Sequence, residues 1–132
     1  MADTVKVDRQ FHRHHLLKAE ECDAEMRIAF GGQRYNAAVI LAVHCCISAA
    51  DALTIFAFGL RHAGESHGGV LGLLRQVGHP DMGKKMQQFQ GVLSLKNSAE
   101  YRQALMSAGD AQKAVDQAGR FLAWVKGRIK GE

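Results

Sequence analysis

The side chains with the widest chemical scope fall in one short run. Arg61, His62, Glu65, Ser66 and His67 lie within seven residues, and Gly64, Gly68 and Gly69 keep the backbone among them open. A guanidinium forks onto two phosphate oxygens, the first N–H groups of a following helix attract an anion, and an imidazole titrating near neutrality moves a proton. Such a turn could bind phosphate. Read more simply, the same residues are a helix cap with surface histidines.

Upstream, an apolar stretch carries Asn36, His44 and Asp51 among its few polar residues. At about 100° per residue they share one arc of a helix with Arg61 and His62. One reading makes that arc a polar groove leading to the turn. In the other, His44 and Asp51 are buried polar groups, each hydrogen-bonded to a neighbouring helix.

Other constellations carry less. His12, His14 and His15 have no carboxylate or thiolate partners at ligand spacing and read as surface residues, so no metal and no cofactor is expected. Cys45 and Cys46 sit mid-helix in apolar surroundings, where a thiol is packing and not a nucleophile. Gly68, Gly69 and Gly72 are too loosely spaced for a phosphate-cradling loop, and no strand is expected before them.

The elements that must position these residues read as helices. Pro80 is the only proline, β-branched residues are sparse, and Ala, Leu, Gln, Lys and Arg are abundant. Apolar periodicity predicts a first helix from about Val7 to Phe30, ended by Gly31-Gly32, and a second from about Gln33 to Arg61. The second is apolar on nearly all sides, which predicts the central helix of a bundle. A third starts near Ser66, its N-cap, is broken at Gly78-His79-Pro80-Asp81 and resumes from Met82 to Leu95. The last opens at Asn97-Ser98-Ala99-Glu100 and runs toward Gly131. Short connections between long helices predict an all-α, up-and-down bundle of about four antiparallel helices, its third helix broken near Gly78–Pro80, in one domain over residues 1–132.

Composition sets the surroundings. With 132 residues, 47% of them hydrophobic, the chain can bury a core without disulfides. Seventeen Lys and Arg against thirteen Asp and Glu give +4, which permits anionic partners without demanding them. Three cysteines without framework spacing point to a reducing, cytoplasmic setting. The apolar stretch Ala37 to Leu60, interrupted by His44, Ser48 and Asp51, reads as a buried helix and not a membrane span.

Three segments resemble HEPN domains: Arg34-Tyr35-Asn36-Ala37-Ala38 with Ala42-Val43-His44-Cys45-Cys46-Ile47-Ser48-Ala49-Ala50-Asp51-Ala52-Leu53; Ser66-His67-Gly68-Gly69-Val70; and Leu95-Lys96-Asn97-Ser98-Ala99-Glu100-Tyr101 with the alanine-rich helix after it. The resemblance covers about residues 30 to 130. It implies an all-α bundle, commonly a homodimer, often paired with a minimal nucleotidyltransferase or an antitoxin. Many members are metal-independent ribonucleases with an arginine, four to six residues, then a histidine, and a polar residue directly after the arginine. Here five residues separate Arg61 from His67, and His62 is the polar neighbour. The motif follows the second helix, whereas in the clearest ribonuclease members it opens the last, and Val43 and His44 replace the aromatic pair usual in the second helix.

Three functions follow as expectations. The first is a HEPN-type domain that binds nucleotide or RNA through Asn36, His44, Asp51, Glu65 and Ser66 beside the Arg61 turn, together with a nucleotidyltransferase or antitoxin partner. The second is a metal-independent RNA-cleaving toxin in which Arg61 and His67 are catalytic and His62 orients. The third is a non-enzymatic helical interaction module.

Overall fold

A computed structural model describes residues 4–63, 68–96, 99, 103 and 105–130. The chain begins with a short strand, β1 (Thr4–Lys6), and a single 3-10 turn, Arg9–Phe11. Two long helices follow, α1 (His12–Gly31) and α2 (Tyr35–Phe58), then a second strand, β2 (Leu60–His62), and three helices, α3 (Gly68–Val77), α4 (Met82–Leu93) and α5 (Ala108–Lys130). The fold is all-α apart from the β1–β2 pair. α2 packs on α1 and α5, and α4 closes over α5.

The core is built where these helices meet. Met26, Val39, Val43, Ile55, Leu74, Phe89, Phe121 and Val125 are fully buried. The Phe89 and Phe121 rings join α4 to α5 with centroids 5.4 Å apart, and removing either would cost about 3–5 kcal/mol. α5 is amphipathic: Ala111, Ala114, Val115, Ala118, Phe121, Leu122 and Val125 recur on its inner face. α2 has no such division, and one 18-residue window in it reaches a mean hydropathy of 2.0, enough by length and composition alone to cross a membrane. In the fold, thirteen of its residues are buried, and its outer line is not.

The ends of the elements differ from the sequence reading in three places. The first helix starts at His12 and not near Val7, because residues 4–6 are extended and Asp8 Oδ1 accepts the Gln10 N–H at 3.1 Å to begin the 3-10 turn. The second helix stops at Phe58 and not at Arg61. Gly59 takes a left-handed conformation, φ +66°, and its N–H donates to Ile55 O at 2.8 Å. A side chain at that φ would be strained, and its Cβ would press on Val7 O at 3.2 Å. Arg61 therefore stands in a strand, and a strand does precede Gly68.

The last helix begins at Ala108, well after the expected opening at Asn97-Ser98, residues that lie outside the described ones together with Ser66. Ser107 and Asp110 make the start: Ser107 Oγ accepts the Asp110 N–H at 3.0 Å, and Asp110 Oδ2 accepts the Ser107 N–H at 3.4 Å. This is a reciprocal cap. The break between α3 and α4 falls where expected. Gly78 has φ +74°, and His79 Nδ1 accepts the Asp81 N–H at 3.0 Å across the turn.

Candidate functional site

The polar residues gather at the C-terminal end of α2, and the N-terminal segment fixes them there. β1 pairs antiparallel with β2, placing Thr4 opposite His62, Val5 opposite Arg61 and Lys6 opposite Leu60. Val7 N–H donates to Gly59 O at 2.8 Å. Arg9 anchors the junction: its Nε and Nη2 donate to Phe56 O at 2.9 and 2.7 Å, and Nη2 also donates to Ala57 O at 3.0 Å. A guanidinium on the last carbonyls of a helix satisfies groups that have no intrahelical partner.

Alternation along β2 sends its side chains to opposite faces. His62 turns inward and is 8% exposed, and its ring lies against the first turn of α3, where a Cβ on Gly69 would overlap it. The His62 Nε2 is buried and has no hydrogen-bond partner among the described residues. Arg61 turns to the other face and is half-buried, its Nη1 donating weakly to His62 O at 3.4 Å.

Asp51 lies beneath this strand on α2, 8% exposed. Burial pushes its carboxyl up to about 6, opposed by the nearby positive charges of Arg61, His62 and Lys18. His15 on α1 belongs to the same group. Burial lowers its pKa first, and Lys18, Arg61 and His14 lower it further. The site is therefore a partly desolvated set of cationic and imidazole groups around one acid that changes charge near neutral pH. Groups so arranged can hold a phosphate and pass a proton.

Of the residues singled out in sequence, the structure brings together Arg61, His62 and Asp51. His44 is exposed on the outer line of α2 and borders a groove of about 410 Å³ with Lys18, Glu21, Cys22, Glu25, Leu41 and Ser48. Asn36 stands at the opposite end of α2, where its Oδ1 accepts the Met106 N–H at 2.9 Å. Glu65, Ser66 and His67 lie outside the described residues. Sequence reading placed His15 on the surface and missed Lys18. Their signal was a spacing of three on α1, the spacing that puts two side chains on one helix face.

The cysteines offer no nucleophile at rest. Burial pushes the Cys45 thiol up to about 12 and Cys46 well above its ordinary value, and Cys22 is raised as well. No family model matches the chain, and no curated protein matches it.

Proposed function

We propose that this protein binds a phosphate-bearing ligand, a nucleotide or RNA, at the end of α2, with Arg61 as the phosphate anchor and His15, Lys18 and His62 around it. The observation that carries the reading is that Arg61 and His62 from β2 and Lys18 from α1 act on Asp51 of α2, with His15 of α1 coupled to the same Lys18 and Arg61. The resemblance to HEPN domains adds the expectation of a cytoplasmic homodimer acting with a nucleotidyltransferase or antitoxin partner. Titrating the protein with AMP and with a short single-stranded RNA, followed by fluorescence anisotropy or calorimetry, tests it. Arg61→Ala should weaken binding about tenfold or more. Equal binding by wild type and Arg61→Ala would sink the assignment.

The pH dependence has a fixed sign. Protonating His15 adds a positive charge, and protonating Asp51 removes a negative one. Affinity for an RNA phosphodiester, whose own charge stays constant here, therefore rises as pH falls through about 6. Bound phosphate should in turn raise the His15 pKa, which proton NMR of the imidazole reads directly.

A second reading is favoured by Asp51, whose near-neutral titration suits proton transfer. In metal-independent cleavage the RNA 2′-OH attacks phosphorus, a base takes its proton, the P–O5′ bond breaks and an acid protonates O5′. Arg61 and His67 would then be catalytic. RNA incubated in chelator with wild type, Arg61→Ala, His67→Ala and Asp51→Asn separates the readings: binding without cleavage leaves only the first.

A further inference from the structure

A cleft of about 430 Å³ opens where four parts of the chain meet, and it shares no residue with the cluster at Asp51. Phe56 and Phe58 reach it from the end of α2, His79 and Pro80 from the turn between α3 and α4, Arg9 from the 3-10 turn and Arg128 from the last turn of α5. Volumes of this order are those of small-molecule sites. Arg9, His79 and Arg128 are its titratable lining residues, all of them hydrogen-bond donors, and no acid lines it among the described residues. Arg9 is held in place by the bonds of its Nε and Nη2 to Phe56 O and Ala57 O, while its Nη1 has no partner among the described residues. Arg128 is exposed and forms no ion pair among them. His79 is oriented as well. Its Nδ1 accepts the Asp81 N–H at 3.0 Å, so the neutral ring carries its proton on Nε2, and Trp124 stands edge-on to it with ring centroids 5.4 Å apart. The Asp81 carboxylate, 3.8 Å from Nδ1, is largely in solvent.

We propose that this cleft binds a small organic carboxylate with an aromatic or alkyl body. Charge decides the head of the ligand. Two guanidiniums and an imidazole N–H, with no carboxylate lining the cleft among them, favour an anion, and a guanidinium matches the planar fork of a carboxylate. The walls decide the body. Phe56, Phe58 and Pro80 offer apolar surface that a bare inorganic anion would leave unused. Apolar walls also weigh against a phosphate dianion, since taking two charges out of water costs more than taking one. Because Arg9 is already fixed on the carbonyls of Phe56 and Ala57, it needs no reordering to meet the ligand, and the entropy lost by the guanidiniums falls mainly on Arg128.

This inference does not rest on phosphate binding at Arg61, so the two can fail separately. Two-dimensional amide NMR of the full chain, titrated with naphthalene-2-carboxylate, tests it. Saturable shifts are expected at Phe56, Phe58, Gly78, His79 and Arg128. The neutral naphthalene-2-methanol and acetate should each bind about tenfold more weakly, since each lacks half of the match. Arg128→Gln, a change on an exposed side chain, should weaken the carboxylate about fivefold or more and leave the rest of the spectrum in place. The absence of saturable shifts at these amides overturns the proposal, as does equal affinity for the carboxylate and the alcohol, or an Arg128→Gln chain that binds as wild type does. Inorganic phosphate or AMP moving the same amides at lower concentration than the carboxylate would overturn it in favour of a phosphate ligand.

Discussion

At the N-terminal end of α2, Asn36 Oδ1 accepts the Met106 N–H at 2.9 Å and Arg34 N–H donates to Ala29 O at 2.8 Å, so the polar groups have partners within the chain. At the C-terminal end, Asp51 is buried among cationic groups that do not hold its carboxyl down, and the His62 Nε2 has no partner among the described residues. One helix thus ends once in a joint closed by hydrogen bonds and once in a partly desolvated polar cluster. The difference separates two kinds of polar residue that look alike in sequence. Asn36 was expected to bind ligand beside Asp51, yet it ties a loop to the bundle. Asp51 carries a desolvation cost that the positive charges of Arg61, His62 and Lys18 do not offset, a pattern that recurs at binding and catalytic sites.

Changes at both ends can break this contrast or sharpen it. The largest effect is expected for Arg9→Ala, which frees the carbonyls of Phe56 and Ala57 and loosens the strand that carries Arg61. Chemical denaturation should show a loss of about 2–3 kcal/mol. Asp51→Asn has the opposite sign. The folded state raises this carboxyl from 3.8 to about 6, so it holds the proton more tightly than the unfolded chain does. Its destabilisation is absent below the unfolded pKa, grows as pH climbs from 3.8 to about 6 and is complete above that. At neutral pH the amide should stabilise the fold by about 2 kcal/mol, and the decline in stability over that range should flatten. A loss of stability in Asp51→Asn would mean that the C-terminal end is as closed as the other.

Smaller effects belong to the closed end. Asn36→Ala removes one half-buried hydrogen bond and should cost about 1 kcal/mol with no change in nucleotide or RNA affinity. An altered affinity would return Asn36 to the site. Gln33, just before α2, holds φ +62° without being glycine. Gln33→Gly should therefore gain about 0.5 kcal/mol, visible as a small rise in Tm.

Much of the fold was legible because periodicity and punctuation agree. The break at Gly78–Pro80 and the amphipathic face of α5 both follow from residues whose preferences are local. The strand pair was not legible, since Thr4–Lys6 forms a strand only because Leu60–His62 arrives beside it. The start of α5 was misread because Ser98-Ala99-Glu100 and Ser107-Ala108-Gly109-Asp110 offer similar caps in sequence, and it is Ser107 and Asp110 that cap α5. In the site, Arg61, His62 and Asp51 were found by arc and spacing. The same arithmetic placed Asn36 with them because an angle around a helix says nothing about distance along it. His15 and Lys18 were left out of the site because their contribution depends on how α1 lies against α2.

The pairing of Thr4 with His62 spans nearly the first half of the chain. Contacts of such long sequence separation form after local ones, because the intervening loop must first be shortened by the α1–α2 hairpin. A three-residue strand pair with exposed outer residues also opens more readily than a packed helix. Arg61 is therefore positioned last during folding and released first during partial unfolding. In hydrogen exchange, the amides of β2 should lose protection while those of α2 and α5 keep it, so the molecule can give up its site and remain a bundle.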